Sequence, residues 1–438
     1  MAKESFKATI LNANHNVKMT FLFSMFQSFG HGVWMGNVLS AYIFFIAGES
    51  NIILGLTSAA TGLTMTLAVL PAGYIADKTR RDNVLKAAAI VGMCGIGFLA
   101  FGQSLTYIII ALLLWGLFQG MNRPAVESIV ADSIESGKRS RTYSWLHLVR
   151  QLSMAVGPFV NVFLFYIFGD KWEIHILRNV MLIGLGLTII SLLLLFYFND
   201  DKSLTEKSES IAEEMTLRGH NAFIKGEKMD LVKIQKLIPI LLLASNVIIG
   251  FGAGMTVKFF PIFFLKIYGL TPIWVQIIMG STFIFTGLSG LLAQKLSLNK
   301  GRVIILFTFQ LIATICLFIL ALYPPLLVLI PVFIIRGSLM NAGEPLSRSI
   351  LMDVIPKNRR GVWNSFQAVA WGLFWNVSAA LGGYLIGDEN NFRLCFLVTA
   401  GLYTLGIMPL LPLMSLVGGE RYNKLKEKTE IINEIKAE

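Results

Sequence analysis

Charge is what this sequence has least of. Asp, Glu, Lys and Arg make up 14% of its 438 residues, and acids are the rarer sign, 26 against 37 Lys and Arg. A soluble domain carries roughly 25% charged residues, because its whole outer surface faces water. Here 55% of the residues are hydrophobic and the mean hydropathy is +0.67. The apolar excess runs from end to end, so most of the outer surface must face lipid. Cysteine is also scarce: Cys94, Cys316 and Cys395 each sit in an apolar run without CxxC spacing, which excludes a disulfide framework and a thiolate metal site. No phosphate-cradling glycine loop, nucleophile elbow or metal-ligand cluster is present, so neither an enzyme nor a cofactor is expected. The start, Met1 to Thr20, lacks a small-residue cleavage site after a short apolar core and is not expected to be a cleavable signal peptide.

What is abundant is long apolar runs. Twelve are long enough, at about 20 residues, to cross a bilayer as helices. Spans 1 to 6 are read at 17–45, 51–76, 84–104, 107–131, 143–167 and 175–198. Spans 7 to 12 follow at 236–265, 273–294, 302–322, 326–353, 362–386 and 393–416. The one long hydrophilic stretch divides them six and six: a first bundle over 1–198, a linker over 199–234, and a second bundle with its tail over 235–438. Basic residues set the orientation. With the N-terminus inside, the outward loops and span ends hold only Lys171, Arg178, Lys266 and Arg393, while Lys138-Arg139-Ser140-Arg141 and Lys357-Asn358-Arg359-Arg360 fall inside. Both termini and the linker are therefore expected in the cytosol. The net charge of +11 is absorbed as topology anchors, and nucleic acid is not an expected partner.

The two halves repeat each other. Residues 115–132 align without a gap on 336–353, matching Gly116 with Gly337, Pro124 with Pro345, Ser128 with Ser349, Ile129 with Ile350 and Asp132 with Asp353. Phe29-Gly30-His31-Gly32 of span 1 matches Phe251-Gly252-Ala253-Gly254 of span 7. After spans 2 and 8, Gly73, Ala76, Asp77 and Lys78 face Gly290, Ala293, Gln294 and Lys295. Three matches in order, at a nearly constant separation, mark a duplication. The expected fold is thus an all-α membrane protein of twelve transmembrane helices in two pseudo-symmetric six-helix bundles, an arrangement of transporters that place the solute between the halves near the midplane.

The loop after span 2 reads Gly73-Tyr74-Ile75-Ala76-Asp77-Lys78-Thr79-Arg80-Arg81-Asp82. It resembles the signature G-x-x-x-D-[RK]-x-G-R-[RK] of the major facilitator superfamily, with Arg80 in place of the glycine and Asp82 in place of a basic residue. The resemblance covers nearly the whole chain. It implies that Asp77 caps the start of span 11 near Gly361 and that Arg81 pairs with Asp132, latching the halves in an outward-open state. It also implies that spans 1, 4, 7 and 10 line the central cavity. Gly157-Pro158 in span 5 only partly matches the antiporter signature, and Gly116 stands where the fourth-span pattern R-x-x-Q-G has arginine, although Gln119-Gly120 is kept. Both departures argue against a proton/drug antiporter.

Ionisable groups inside spans are costly and mark either function or a paired network. Arg123 with Glu127 and Glu344 with Arg348 are spaced i, i+4 at equivalent repeat positions with signs exchanged, which suits an ion-pair gate. Arg336 lies mid-span with no acid three or four residues away, and its repeat mate is Trp115. Its planar guanidinium suits a carboxylate or phosphate, with a partner on another helix as the alternative. Arg336, Lys258, Trp115, Gln119 and His31 are the candidate solute-binding residues. The expected function is secondary transport of a small solute, an organic anion, with protons as coupling ions through Glu344, Glu127 or His31. A uniporter or exporter of neutral or cationic solutes, or a receptor with the same fold, stays open. A monomer in the bilayer is expected. The charge asymmetry gives one direct test: in intact cells an impermeant thiol reagent should label Glu389→Cys and spare Ser208→Cys, and the opposite pattern would invert the topology.

Overall fold

The computed structural model describes residues 13–134, 139–204, 231–354 and 360–417, and every regular element among them is helical. Ten helices are long and apolar enough to cross a membrane. The pair His15–Trp34 and Asn37–Ile46, bent by 41°, makes an eleventh span, and Arg360–Ile386, whose segment Gly372–Ile386 is apolar, falls where span 11 is expected. The count is consistent with twelve, and the chain is a multi-pass integral membrane protein.

The residues form two compact units. The first joins Met1–Ile211 to Gly254–Phe283 and Gly372–Cys395; the second takes Ala212–Ala253, Ile284–Trp371 and Phe396–Glu438. The division therefore does not follow the linker alone: the second part of span 7, the first part of span 8 and most of the described part of span 11 belong with the first half. In the first unit span 4 packs on spans 2 and 3, and span 1 on spans 5 and 6. Small residues permit these approaches, as they do wherever lipid removes the hydrophobic force between helices. A side chain on Gly32 would strike the Met154 carbonyl of span 5, and one on Gly157 would strike Gly32 itself. The second unit centres on Ile238, Leu242, Leu306, Ile350, Leu351 and Leu410, with Phe309 and Leu346 in a neighbouring cluster.

The first unit is tied together at its far end, the end opposite Asn14 and the 79–80 turn. Asn51 at the start of span 2 donates to the Gly387 carbonyl at 2.9 Å and to Asn390 Oδ1 at 3.0 Å. Lys266 pairs with Glu49 at 2.5 Å and lies over the Phe44 ring. Asp170 accepts from the Ile273 N–H at the start of span 8, and the Trp172 indole donates to the Leu270 carbonyl at 2.7 Å. Span 2 rests on span 11 through glycines: a side chain on Gly55 would meet the Ala379 carbonyl, and one on Gly62 would meet Asn376. The far end is a sealed joint between first-half and second-half segments. Because overpacking such a joint costs about 1–3 kcal/mol, Gly62→Leu should open it by roughly tenfold or more in population. The readout is faster impermeant labelling of Glu389→Cys in the Gly62→Leu background.

Candidate functional site

Among the described residues four spans are interrupted, spans 1, 7, 10 and 12, the last two at Gly343 and between Ile407 and Leu410. Span 1 stops at Trp34 and resumes at Asn37; span 7 stops at Val257 and resumes at Phe260. The two pairs of boundaries are each 223 positions apart, so the break belongs to the repeat. A break frees backbone carbonyls, which lipid cannot satisfy, and each must find a donor inside the protein. The Val33 carbonyl accepts from Asn161 Nδ2 at 2.9 Å, and the Met255 carbonyl, its repeat mate, accepts from the Cys395 thiol at 3.3 Å. Beyond the span 1 break, Asn37 Nδ2 donates to Gln276 Oε1 at 3.2 Å, and the fully buried Gln276 also lies against Asn161. Neither break is evident from hydropathy. The available signals were Gly36, and Pro261 in the first turn of Phe260–Tyr268.

The span 7 break places Lys258 on a small cavity that it shares with Ser40, Thr57, Ser58, Thr61 and Asn376, its remaining wall being apolar. Among the described residues Lys258 has neither an ion pair nor a hydrogen bond. No carboxylate lines this cavity. His31, half-buried and edge-on to Trp34 at 6.3 Å, lies within electrostatic reach of Lys258.

The other candidates are placed elsewhere. Trp115 is buried in the first unit, 5.2 Å from Trp34 and 4.7 Å from Phe118, centroid to centroid. Gln119 is half-buried one turn further along span 4. Arg336 is only 5% exposed, donates from Nη2 to Tyr403 Oη at 2.9 Å and stands over the same ring. Tyr403 lies on span 12, so this arginine is engaged within the second unit. Arg123 and Glu127 approach to 3.8 Å, and Arg348 and Glu344 to 3.2 Å, each pair along its own helix with every side chain more than half exposed. Such pairs contribute little stability.

At the near end Arg81 meets Asp132 at 2.5 Å and also donates to the Ser128 carbonyl at 3.3 Å. The side chain of Asp77 and the region of Gly361 lie outside the described residues. The two departures from the signature have local partners. Asp82 is buried and bonded to Arg80 at 3.1 Å and Lys86 at 3.0 Å, and Arg80 reaches Asp201 at 2.8 Å. Hydrogen bonds to Asp82 and Asp201 push the Arg80 pKa above its ordinary value. Asp200 accepts from the Arg81 N–H at 3.0 Å, and the Leu204 N–H donates to the Asp132 carbonyl at 2.8 Å. The head of the linker is therefore docked on the latch loop.

The family model of the Major Facilitator Superfamily matches residues 19–341 and 242–434. The chain belongs to this superfamily. It is similar to the minor myo-inositol transporter IolF of Bacillus subtilis (strain 168), 25% identical over 230 residues, which are 52% of this chain and 51% of that protein. The match thus spans about half the length of that relative. Among solved structures, the nucleoside transporter NupG superposes with a TM-score of 0.64 at 14% identity, covering 91% of this chain and 98% of that one. A D-xylose-proton symporter superposes with a TM-score of 0.68 at 14% identity, covering 92% and 98%.

The latch gives a test of its own. Arg81→Asp and Asp132→Arg should each slow transport, and the exchanged double variant should recover part of the loss, with a coupling of about 1 kcal/mol for a partly exposed pair. Initial uptake rates in proteoliposomes measure it; additive losses would mean the two side chains act separately.

Proposed function

We propose that this transporter carries a small organic anion by alternating access, with Lys258 taking the solute's negative charge. The observation that supports it is a lysine at the break of span 7, on a cavity whose lining holds no carboxylate among the described residues. An uncompensated charge there is costly, and a solute that supplies the opposite charge is bound by relieving that cost. The other cations have partners: Arg123 and Arg348 are paired with acids of their own helices, while Arg150 and Arg336 donate to the neutral hydroxyls of Ser24 and Tyr403. In this proposal Arg336 serves the packing of spans 10 and 12 and does not meet the solute. Glu127 and Glu344 are held by neighbouring arginines, which leaves His31 as the group to exchange a coupling proton. The basic loops put the near end and both termini in the cytosol, and the carrier acts as a monomer.

A second reading has its own support. The names of IolF and of the xylose symporter specify an inositol and a pentose, and the hydroxyl and amide lining around Lys258 would suit a neutral polyol. One variant separates the two. For an organic anion, Lys258→Gln should lower the apparent affinity roughly tenfold to a hundredfold, as expected for a lost hydrogen bond to a charged group, while Lys258→Arg keeps part of it. For a polyol, Lys258→Gln should bind nearly as the parent does. The measurement is a ligand-binding and uptake screen of the purified protein against carboxylates, phosphate esters and polyols. A folded Lys258→Gln that carries its anion with unchanged affinity ends the proposal. Arg336→Ala should instead lower the melting temperature.

A further inference from the structure

The cavity at Lys258 has a volume of about 20 Å³. In this conformation that is room for one particle of about the size of water, so a solute with a carbon skeleton requires the site to widen. Its polar lining is unevenly satisfied. The Thr57 and Thr61 hydroxyls donate to carbonyls of their own helix at 2.9 and 2.8 Å, and Asn376 Nδ2 donates to the Gly372 carbonyl at 2.7 Å. Ser40 and Ser58 differ: they are 4% and 8% exposed, and among the described residues neither hydroxyl has a hydrogen-bond partner. Two hydroxyl protons and three ammonium protons therefore face one small space without a negatively charged acceptor. Buried donors in native proteins are almost always satisfied, and a buried ammonium is paired or discharged.

We infer that Lys258, Ser40 and Ser58 form a binding site for a single halide ion, chloride under ordinary ionic conditions. A monatomic anion satisfies all three requirements together: it fits the volume, accepts from every free donor and cancels the charge. Thr57, Thr61 and Asn376 complete the polar lining, and the apolar wall from Leu39 and Leu54 keeps the surroundings of low dielectric. The ion ties Ser40 of span 1, Ser58 of span 2 and Lys258 of span 7, three segments of the first unit, and so reinforces the far-end joint. The site uses the same ammonium as the solute proposal without resting on it. A neutral solute leaves the ion in place, whereas an anionic solute displaces it.

The test is thermal unfolding of the purified full-length protein, free of added solute, in sodium sulfate against chloride or bromide at matched ionic strength. The parent should show a saturable rise in melting temperature with either halide. Ser40→Ala/Ser58→Ala, which keeps the lysine and removes only two small hydroxyls, should weaken the apparent halide affinity at least tenfold, and Lys258→Gln should abolish the response. Should Lys258→Gln fail to fold, the serine pair carries the comparison alone. Equal melting temperatures in sulfate and halide, or a halide response unchanged in the serine pair, overturn the site and leave water beside the lysine. Solute binding measured in sulfate is unaffected by that result, so the two proposals fail separately.

Discussion

A backbone carbonyl released inside a bilayer has no water to turn to, and the structure around the solute path is organised by that requirement. The break of span 1 bends it by 41° and that of span 7 holds Lys258 at the cavity, but the breaks also free the carbonyls of Val33 and Met255. Each unsatisfied group would cost several kcal/mol in hydrocarbon. Asn161 reaches across from span 5 for one and Cys395 from span 12 for the other. The donors differ while the carbonyls are repeat mates, so the duplicated element is the break and the repair was found separately in each half. Asn161 and Cys395 hold the geometry of the site although neither carries charge.

The same requirement governs the charges. The described spans hold more cations than acids, and most of the cations are engaged close to home: on the neighbouring helical turn, on Ser24, or on the phenol of Tyr403. At the near end the charges that Arg80 and Asp82 bring in place of a glycine and a basic residue are matched, because Lys86 lies one turn on and Asp201 arrives from the head of the linker. Lys258 stands apart from this pattern, and for that reason a lysine, rather than the arginine of span 10, is the group assigned to the solute.

Much of the architecture was legible in the sequence because it is set by hydropathy and repetition. The spans and the duplication rest on local patterns whose spacing survives folding, whereas the Arg81–Asp132 approach, 51 residues apart, was expected only from the resemblance of the loop after span 2 to the family signature. Helix breaks were not legible, since a polar residue within an apolar run, Asn37 or Lys258, does not by itself interrupt a helix and hydropathy has no term for a lost hydrogen bond. Arg336 shows the other limit. Its distance from any acid along span 10 is plain in the sequence, but its partner Tyr403 lies 67 residues away, and nothing in one sequence assigns a phenol in an apolar run to it. The far-end joint was hidden for the same reason: Gly55 and Gly62 gain meaning only once Ala379 and Asn376 stand opposite.

That joint also dictates an order of assembly. Synthesis runs from the N-terminus, and early segments fold as they emerge. The first six spans are complete before Gly254 leaves the ribosome, yet the unit they belong to is finished only when Cys395 has been made. Until then the glycine faces of span 2 and the start of that span at Asn51 present themselves to lipid as an open template. The last pieces to seat, Gly372–Cys395, carry the clamp at Gly387 and Asn390 and the thiol that seals the Met255 carbonyl. Completion of the first unit therefore waits on Gly372–Cys395, the last of its segments to be made.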